Sequence, residues 1–432
     1  PEQKKPTTPT RLDKPLLRLS KVKAHGQTRT NSKANRRVNA ETDKKVRPKR
    51  KGGTPDQKQN KPDAKKPVST DLTSRHIIYG ILVAVDEGIH LDKALAANQA
   101  LPKLDDRDRR FVRLLVTTSL RYRGQLEKVL APLVARRPFG AQANANLILL
   151  MGAAQLLLLK TGAHAAVDST VELMRQTGFD RLCGLANAVM RRLTREGEGL
   201  LAATNTLDNL ATWLQQSWRH YWGDAVTMAI ADLAMLPPPL DISVKGDATV
   251  WAKKLEAQHI GGNSLRREFD GDPSLLDGFD EGAWWVQDVA AALPAKILNV
   301  TAGETVIDLC AAPGGKTAQL ITAGGTITAI DNNRKRLDRL RRNLERLQLS
   351  AILVLGDGRD YRPNAPVDAV LVDAPCSATG TIRRRPDILI KRDVEDISAL
   401  QKLQWELATN ALGWLRAGGR MVYATCSLQP EE

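Results

Sequence analysis

The chain has 432 residues, and at about 100 to 200 residues per domain this length predicts two to four domains. Its 64 Lys and Arg residues outnumber its 48 Asp and Glu residues, and the net charge of +16 favours nucleic acid as a partner. The longest apolar run, residues 147–159, is interrupted by Gln155 and is shorter than the roughly 20 residues of a membrane-spanning helix. We interpret it as a core helix and predict no membrane partner.

The positive charge is concentrated at the amino terminus. Residues 1–70 contain 21 Lys and Arg against 6 Asp and Glu, which leaves a net charge of about +1 for the remainder. This segment has no aromatic residue, so it cannot bury enough apolar surface to offset the entropy of ordering, and we predict a disordered basic tail. Such a polycation attracts phosphate without sequence preference, although a merely solubilising extension is an equal alternative.

Residues 71–198 have the periodicity of amphipathic helices, with apolar residues at steps of three and four. The longest such pattern runs from 105 to 130. We predict a small all-helical domain whose basic residues line an RNA face or, alternatively, belong to an ordinary solvated surface balanced by acids. The basic residues concerned are Arg107, Arg109, Arg110, Arg113, Arg121, Arg123, Arg136, Arg137, Arg191 and Arg192.

Residues 199–297 combine a tryptophan-rich stretch, "ATWLQQSWRHYWGDAV", with the prolines of "LPPPL", which mark a boundary, and a mixed segment after them. We predict a linker and a small α/β domain here. Tryptophans pack more often than they stack on bases, so we interpret these as packing residues.

From residue 298 onward, short apolar strands alternate with amphipathic helices. The strands are "ETVIDLC", "GTITAID", "SAILVLGD", "VDAVLVDAP" and "GGRMVYATC". This alternation predicts a parallel sheet with helices on both faces, which is an α/β fold. Ligands of such sheets bind at the carboxyl ends of the strands, so the functional residues are expected there.

The first of these strands runs into a turn that contains Pro313, Gly314 and Gly315, in "VIDLCAAPGGKTAQL". Two adjacent glycines allow backbone amides to approach a ligand, and the following helix start offers unpaired N–H groups to an anion. The turn is neither G-x-G-x-x-G nor a complete P-loop, which weakens the dinucleotide and ATP interpretations.

Acidic residues follow the next three strands: Asp331, Asp357 and Asp373. Asp331 lies 21 residues after Cys310, which is near the spacing at which an acid reaches ribose hydroxyls in this architecture. Any one of the three could be a turn-capping residue, but together they predict a nucleoside pocket.

Four cysteines occur, at 183, 310, 376 and 426, and their spacing matches neither a disulfide framework nor a metal motif. We therefore predict free thiols, no metal and a cytoplasmic location. Burial alone would explain a cysteine in "MVYATCSLQPEE". The position of Cys426 after a predicted parallel strand instead suggests a reactive thiol.

Three motifs together carry a resemblance to a known family: "DLCAAPGGKT", "DAPCSATG" followed by "RRRPD", and "YATCS" followed by "PEE". They resemble the S-adenosylmethionine-dependent RNA cytosine-5 methyltransferases of the RsmB/Nop/Sun family. The helical segment with "GLANAVMRRL" resembles the NusB-like domain of the bacterial members that act on small-subunit rRNA. The resemblance covers roughly residues 71–432 and implies a Rossmann-like, class I methyltransferase domain from 298 to 432.

The resemblance implies a role for each matching residue. Cys426 would be the nucleophile that attacks the cytosine, and Cys376 would aid breakdown of the covalent adduct. Asp373 would bind the edge of the base, and Lys316 would assist electrostatically. S-adenosylmethionine would be held by Cys310, Ala311, Ala312, Pro313, Gly314, Gly315, Lys316, Asp331, Asp357 and Asp373.

The arginines of "TIRRRPD", Arg383, Arg384 and Arg385, lie beside the second cysteine, and we predict that they contact RNA phosphates. The leading hypothesis is a monomeric enzyme that methylates carbon 5 of a cytosine in small-subunit (16S) rRNA. The same chemistry on tRNA or large-subunit rRNA, and a non-catalytic RNA-binding or antitermination module, are the alternatives. Relatives continue into further strands after Cys426, so we interpret the chain as carboxyl-terminally truncated.

Overall fold

The computed structural model describes residues 70–134, 137–138, 140–269 and 271–432, all within one compact unit. Apart from Thr70, the predicted basic tail lies outside the described residues, as does Arg136 of the predicted RNA face. Within the described ranges, no helix is both long enough and apolar enough to cross a bilayer.

The amino-terminal part of the described chain is entirely helical, which confirms the predicted helical fold. Fully buried leucines, isoleucines and valines from all the longer helices share one apolar core, with Leu115, Ile148 and Leu173 at its centre. The helices are α1 (Thr70–Asp86), α2 (Leu91–Ala97), α3 (Asp106–Arg121), α4 (Arg123–Leu130), α5 (Ala145–Ala153), α6 (Ala163–Gln176) and α7 (Cys183–Ala202). The apolar run at 147–159 lies in α5 and its π-helical continuation, and its residues are mostly buried.

The helical pattern predicted for residues 105–130 is interrupted at Tyr122, which has φ −100° and ψ 17°. The Tyr122 hydroxyl donates to the carbonyl of Met235 at 3.2 Å, so a tertiary contact fixes the break. Gly124 then passes so close to a neighbouring loop that a Cβ would lie 1.8 Å from the carbonyl oxygen of Asp208. Packing against another part of the chain therefore overrides the local periodicity.

The central part contains α8 (Thr212–Ala234), then β1 (Leu240–Val244), α9 (Ala248–Lys254), β2 (Gln258–Gly261), β3 (Ser264–Arg267), β4 (Trp284–Val286) and α10 (Val289–Leu298). The four strands form an antiparallel sheet in the order β2-β3-β1-β4. Its core includes the fully buried Ile242 and Trp284. Helix α8 packs on the carboxyl-terminal part, because the buried Trp218 shares an apolar cluster with Cys376 and Ile382.

The carboxyl-terminal part is a five-stranded parallel sheet in the order β7-β6-β5-β8-β9, which confirms the predicted α/β fold. Its strands are β5 (Thr305–Leu309), β6 (Thr326–Asp331), β7 (Ile352–Leu355), β8 (Val367–Asp373) and β9 (Leu415–Ala424). Its helices are α11 (Gly315–Thr322), α12 (Arg334–Arg346), α13 (Ile388–Lys391) and α14 (Val394–Leu412). Helix α12 buries Leu337, Leu340 and Leu344 at helical spacing. The prediction that further strands follow β9 stays a prediction.

Candidate active site

The carboxyl edge of the parallel sheet gathers the residues that the sequence analysis selected. Strands β5, β6, β8 and β9 end at Leu309, Asp331, Asp373 and Ala424, and the cofactor turn and both cysteine motifs follow these ends. Because parallel strands all point the same way, their carboxyl ends meet at one edge of the sheet. Residues more than 100 positions apart are therefore brought to one surface.

Residues 310–316 connect β5 to α11 and form the predicted cofactor turn. Gly314 has φ +101°, and a Cβ there would also approach Cγ of Leu340 at 3.0 Å, so this position requires glycine. The turn is tied to β6 by the hydrogen bond from Ala311 N–H to the carbonyl of Ile330, at 3.0 Å. It thereby places the amino-terminal N–H groups of α11 at the carboxyl edge.

Two of the three predicted acids share a small cleft beside this turn. Asp331 is buried, and its carboxylate accepts hydrogen bonds from Asn333 N–H at 2.9 Å and Ala312 N–H at 3.3 Å. Asp357 is held by Arg359, whose hydrogen bonds lower the pKa of its carboxyl group. The cleft is lined by Leu309, Cys310, Ile330, Asp331, Asn332, Gly356, Asp357, Gly358, Pro375, Leu403 and Leu407.

The lining of this cleft has the chemistry that suits the nucleoside part of S-adenosylmethionine. Its carboxylates can accept hydrogen bonds from ribose hydroxyls, and its apolar walls, Leu309, Pro375 and Leu407, suit the faces of an adenine base. The neighbouring glycine turn allows close approach of the rest of the cofactor. Burial raises the pKa of the Cys310 thiol to about 12, so this thiol in the cleft lining is neutral near pH 7.

Lys316 and Asp373 form an ion pair across the carboxyl edge. The Lys316 Nζ lies 2.7 Å from Oδ2 of Asp373, although the two residues are 57 positions apart. Lys316 is in the first turn of α11 and Asp373 is the last residue of β8, so the pair connects the cofactor turn with the first cysteine motif. Asp373 is only half-buried, which leaves part of its carboxylate accessible to a ligand.

The sulfur atoms of Cys376 and Cys426 lie 3.3 Å apart, although 50 residues separate them in sequence. Cys426 is exposed, whereas Cys376 is buried, with 9% of its surface accessible. The hydrogen bond between the two sulfurs lowers the pKa of the Cys376 thiol and raises that of the Cys426 thiol. The two thiols are therefore coupled, and ionisation of one disfavours ionisation of the other.

A network of side-chain oxygens, which the sequence analysis did not single out, joins the two cysteine loops. Ser377 Oγ lies 2.9 Å from Ser427 Oγ, and the Glu432 carboxylate accepts from Ser377 N–H at 2.8 Å. Thr379 Oγ1 accepts from Leu428 N–H at 2.9 Å. A serine directly after each cysteine, in "PCS" and "TCS", was the available signal for this network.

Asp308 is a further ionisable residue that the sequence analysis missed. It is fully buried in β5, and its Oδ2 accepts a hydrogen bond from the Thr317 hydroxyl at 2.6 Å. Burial raises the pKa of this carboxyl group to about 7. Asp308 packs behind the cofactor turn, and the alternation of apolar residues in "TVIDL" gave no sign that this acid would point inward.

The three arginines predicted to contact RNA make hydrogen bonds and ion pairs within the protein. Arg383 donates to the carbonyl of Pro237 at 2.8 Å, and Arg384 pairs with Asp288 at 2.8 Å. Arg385 lies 3.5 Å from the carboxylate of Asp92 in α2. These contacts fix the loop after Cys376 to the small sheet and to the helical part, and the RNA contacts stay a prediction.

The chain matches two protein-family models. The family model of the 16S rRNA methyltransferases RsmB/F matches residues 295–432, and the NusB family model matches residues 72–195. The crystal structure of PH0851 has the same fold, with a TM-score of 0.66 at 22% identity over 85% of this chain and 88% of that chain. The chain therefore combines a NusB-like helical domain with a class I methyltransferase fold.

Two relatives define the family more narrowly. The ribosomal RNA small subunit methyltransferase B of Pseudomonas putida is 38% identical over 360 residues, which cover 78% of this chain and 82% of the relative. The protein of the same name from Vibrio cholerae is 36% identical over 369 residues, or 81% of this chain and 84% of the relative. The chain belongs to the ribosomal RNA small subunit methyltransferase B family.

This membership confirms the resemblance on which the cofactor prediction rested, and the protein is an S-adenosylmethionine-dependent methyltransferase. The prediction of a Rossmann-like domain preceded by a NusB-like domain is also confirmed. The individual roles of Cys426, Cys376, Asp373 and Lys316 stay predictions, as do the cofactor contacts and the domain boundaries.

Proposed function

We propose that the protein methylates carbon 5 of a cytosine in small-subunit (16S) rRNA through a covalent bond between Cys426 and the RNA. The observation that carries the proposal is the pair of sulfur atoms 3.3 Å apart at the carboxyl edge, beside the Lys316–Asp373 ion pair. Carbon 5 of cytosine is a poor nucleophile, so a thiolate that adds to carbon 6 is needed to push electron density onto carbon 5.

Cys426 is the attacking residue because it is the exposed member of the pair. The Cys426 proton is transferred to the cytosine ring as the sulfur of Cys426 adds to carbon 6. Cys376 is buried 3.3 Å away and is the member of the pair that assists release.

The same geometry explains how Cys376 assists release. Cys376 is a thiol 3.3 Å from the sulfur that must leave carbon 6. Its S–H donates a hydrogen bond to the departing Cys426 thiolate and makes it a better leaving group. A solvent water takes up the carbon 5 proton, the electron pair of that C–H bond restores the carbon 5–carbon 6 double bond, and the carbon 6–sulfur bond breaks to release Cys426.

Asp373 and Lys316 orient and stabilise the base. The half-buried Asp373 carboxylate accepts a hydrogen bond from the cytosine edge, which gains positive character as the ring takes up a proton during thiolate addition. Lys316 fixes this carboxylate at 2.7 Å and balances its charge before the base arrives. S-adenosylmethionine, held by residues 310–316 with Asp331 and Asp357, supplies the electrophilic methyl group.

The names of the relatives favour small-subunit rRNA over tRNA or large-subunit rRNA as the substrate. Together, the sulfur pair and the ion pair argue against a non-catalytic RNA-binding module, because RNA binding alone requires neither. We further propose that the enzyme works as a monomer in the cytoplasm, where its rRNA substrate is made and assembled.

The proposal is tested by mapping 5-methylcytosine in small-subunit rRNA from cells with and without the gene, using bisulfite sequencing and mass spectrometry. Loss of one methylated cytosine supports the proposal. An unchanged small-subunit rRNA together with a lost site in tRNA or large-subunit rRNA would move the activity to that substrate.

Two cysteine variants test the chemistry. Cys426→Ala should abolish both methylation and the covalent RNA adduct, because it removes the attacking sulfur. Cys376→Ala should accumulate an adduct that survives a denaturing gel, because it removes the donor that assists release. Cys183→Ala, which alters a thiol hydrogen-bonded to Val171 in the helical part, is the control and should keep normal turnover. Adduct in Cys426→Ala would reverse the two roles.

A further inference from the structure

Helix α8 contacts the loop that follows Cys426, although the two are about 200 residues apart in sequence. The Trp222 indole N–H donates to the carbonyl oxygen of Leu428 at 3.2 Å, and Leu428 is only two residues beyond Cys426. One turn earlier, the Trp218 indole N–H bonds to Gln429, whose amide in turn lies 3.3 Å from Ser217 Oγ. Two tryptophans one helical turn apart are thus fixed to the segment that follows the proposed nucleophile.

The two tryptophans differ in their surroundings. Trp218 is fully buried, which fits the packing role that the sequence analysis gave to these residues. Trp222 is 45% exposed and its neighbour Tyr221 is 52% exposed, although both are large aromatic residues with an apolar surface to bury. The Trp222 indole is fixed at its nitrogen and remains 45% exposed, so it can stack on a flat partner.

The surroundings of Trp222 suit a nucleic acid. The helix is kinked directly after it, at Gly223, which has φ 79° and ψ 167°, so residues around the kink are displayed at the surface. The guanidinium of Arg219 is partly exposed one turn before Trp222 and is held at 3.1 Å from Asp224. Proteins bind single-stranded RNA with this combination: the cationic side chain contacts a phosphate, and the aromatic ring stacks on a base.

We propose that Trp222 is a stacking platform for the nucleobase next to the target cytosine. The inference rests on the proposed function, because a cytosine presented to Cys426 must leave its stack and thereby exposes the face of a neighbouring base. Trp222 lies beside the loop that carries the nucleophile, so it meets that face. The platform requires no particular base, since every base has a π-face, and it therefore contributes affinity and positioning more than sequence selection.

Three variants separate stacking from anchoring. Trp222→Phe keeps an aromatic face but loses the N–H bond to Leu428, whereas Trp222→Leu loses both. Trp405→Leu, at a tryptophan of α14 that is 75% exposed, is the matched control for loss of a surface indole. Thermal unfolding of all three must be compared with wild type so that only folded protein is assayed.

The measurements are the Kd for fluorescently labelled small-subunit rRNA transcript at several salt concentrations, and the KM and kcat for methylation. Stacking of one base predicts a Kd for Trp222→Leu that is weaker by roughly 5- to 150-fold, with Trp222→Phe and Trp405→Leu near wild type. The salt dependence of log Kd should not change, because no phosphate contact is lost.

Equal losses in Trp222→Phe and Trp222→Leu would overturn the inference, since the indole would then serve only to hold Leu428. An unchanged Kd in Trp222→Leu would also overturn the inference. The exposed indole would then be assigned to contact with a protein partner. The binding assay does not depend on methyl transfer. A wild-type protein that binds the transcript but does not methylate it refutes the proposed function while the Kd series still decides the role of Trp222.

Discussion

Each of the two sheets carries an aspartate paired with a basic residue. The two carboxylates differ in how far protein donors fill their hydrogen-bonding capacity. In the antiparallel sheet, Asp241 is fully buried and accepts hydrogen bonds from Arg266 at 2.7 and 2.8 Å and from Val289 N–H at 3.0 Å. Burial opposes its ionisation, but these hydrogen bonds outweigh the burial, and the pKa of Asp241 is lowered. In the parallel sheet, Asp373 is half-buried and is paired with Lys316.

The difference shows how the same residue types are used for structure and for chemistry. A buried carboxylate whose oxygens accept hydrogen bonds from fixed donors helps to hold strands together, and a ligand reaches it only by displacing one of those donors. A carboxylate with an accessible oxygen and a single cation keeps the capacity to bind a ligand. The same contrast applies to Trp218 and Trp222, of which the first is enclosed and the second is open.

The largest effect on activity outside the cysteines is expected for Lys316→Met. Without the ammonium group, Asp373 loses its positioning partner and the charge that balances it, so kcat should fall by about 10² to 10³-fold. The temperature of unfolding should change little, because Asp373 already reaches solvent and is not left as a buried unpaired charge. Single-turnover methylation and thermal unfolding measure the two quantities.

The control for this variant is Lys254→Met, which removes a lysine that lies over the ring of Trp251 in the small domain. It should leave kcat at the wild-type value. If Lys316→Met kept the wild-type kcat, the Lys316–Asp373 pair would be structural like the pair in the other sheet.

For Arg266→Met in the antiparallel sheet, we expect a loss of stability with little change in activity. This change leaves the buried Asp241 with Val289 N–H and a more distant Arg384, at 3.9 Å, so the free energy of unfolding should fall by about 3 kcal/mol. Methylation per folded molecule should stay within about twofold of wild type. Urea unfolding and an activity assay at a temperature where the variant is folded provide the measurements.

Replacing both partners, in Asp241→Asn with Arg266→Met, should recover part of the lost stability, because the uncompensated charge is then removed. No recovery in the double variant would show that the pair acts through packing of the Arg266 stem and not through charge.

A smaller effect is expected on the ionisation of the sulfur pair. In Cys376→Ala, Cys426 loses the neighbouring sulfur that raises its pKa, so alkylation of Cys426 should occur at a lower pH, by about one unit. Iodoacetamide labelling followed by mass spectrometry of the Cys426 peptide gives the pH profile. Cys310→Ala is the control, because the pKa of the Cys310 thiol is already raised to about 12 and it contributes nothing near neutral pH. An unshifted profile in Cys376→Ala would show that the sulfurs ionise independently.

The fold and the location of the site could be predicted from the sequence because both depend on local patterns. Strand–helix alternation specifies a parallel sheet, and a parallel sheet brings Asp331, Asp373 and the cysteine motifs to one edge. Distances across that edge could not be predicted, because they depend on loop conformations such as the left-handed Ala378, with φ 61°. The docking of α8 on the Cys426 loop was also beyond prediction, since nothing in a tryptophan-rich helix specifies which surface it packs on.

The sequence also could not predict the contacts made by Arg383, Arg384 and Arg385. A run of basic residues beside a catalytic motif predicts phosphate contacts, but the sequence cannot reveal that carbonyl groups of Leu236, Pro237 and Pro239 and the carboxylate of Asp288 lie within their reach. Partners that come from elements about 100 or more residues away depend on tertiary packing. The helical break at Tyr122 has the same cause.

An effect on stability alone is expected for the buried Asp308, an acid with one unsatisfied oxygen. Among the described residues, its Oδ1 has no hydrogen-bond partner, and its pKa is raised to about 7. In the unfolded chain the same group ionises near its ordinary value of about 4, so the folded protein binds more protons between these values. Its contribution to stability is therefore complete at acidic pH and is lost as the pH rises towards 7.

Asp308→Asn cannot ionise and keeps an oxygen for the Thr317 hydroxyl, so its stability relative to wild type should rise by about 2 kcal/mol between pH 5 and pH 8. Urea unfolding at the two pH values measures this difference. Asp368→Asn is the control with the opposite sign, because hydrogen bonds from Thr305 and Arg416 lower the pKa of Asp368 and its contribution is lost only in acid. A pH-independent difference for Asp308→Asn would mean that Asp308 is ionised when buried. The parallel sheet would then stabilise a buried carboxylate, as the antiparallel sheet does for Asp241.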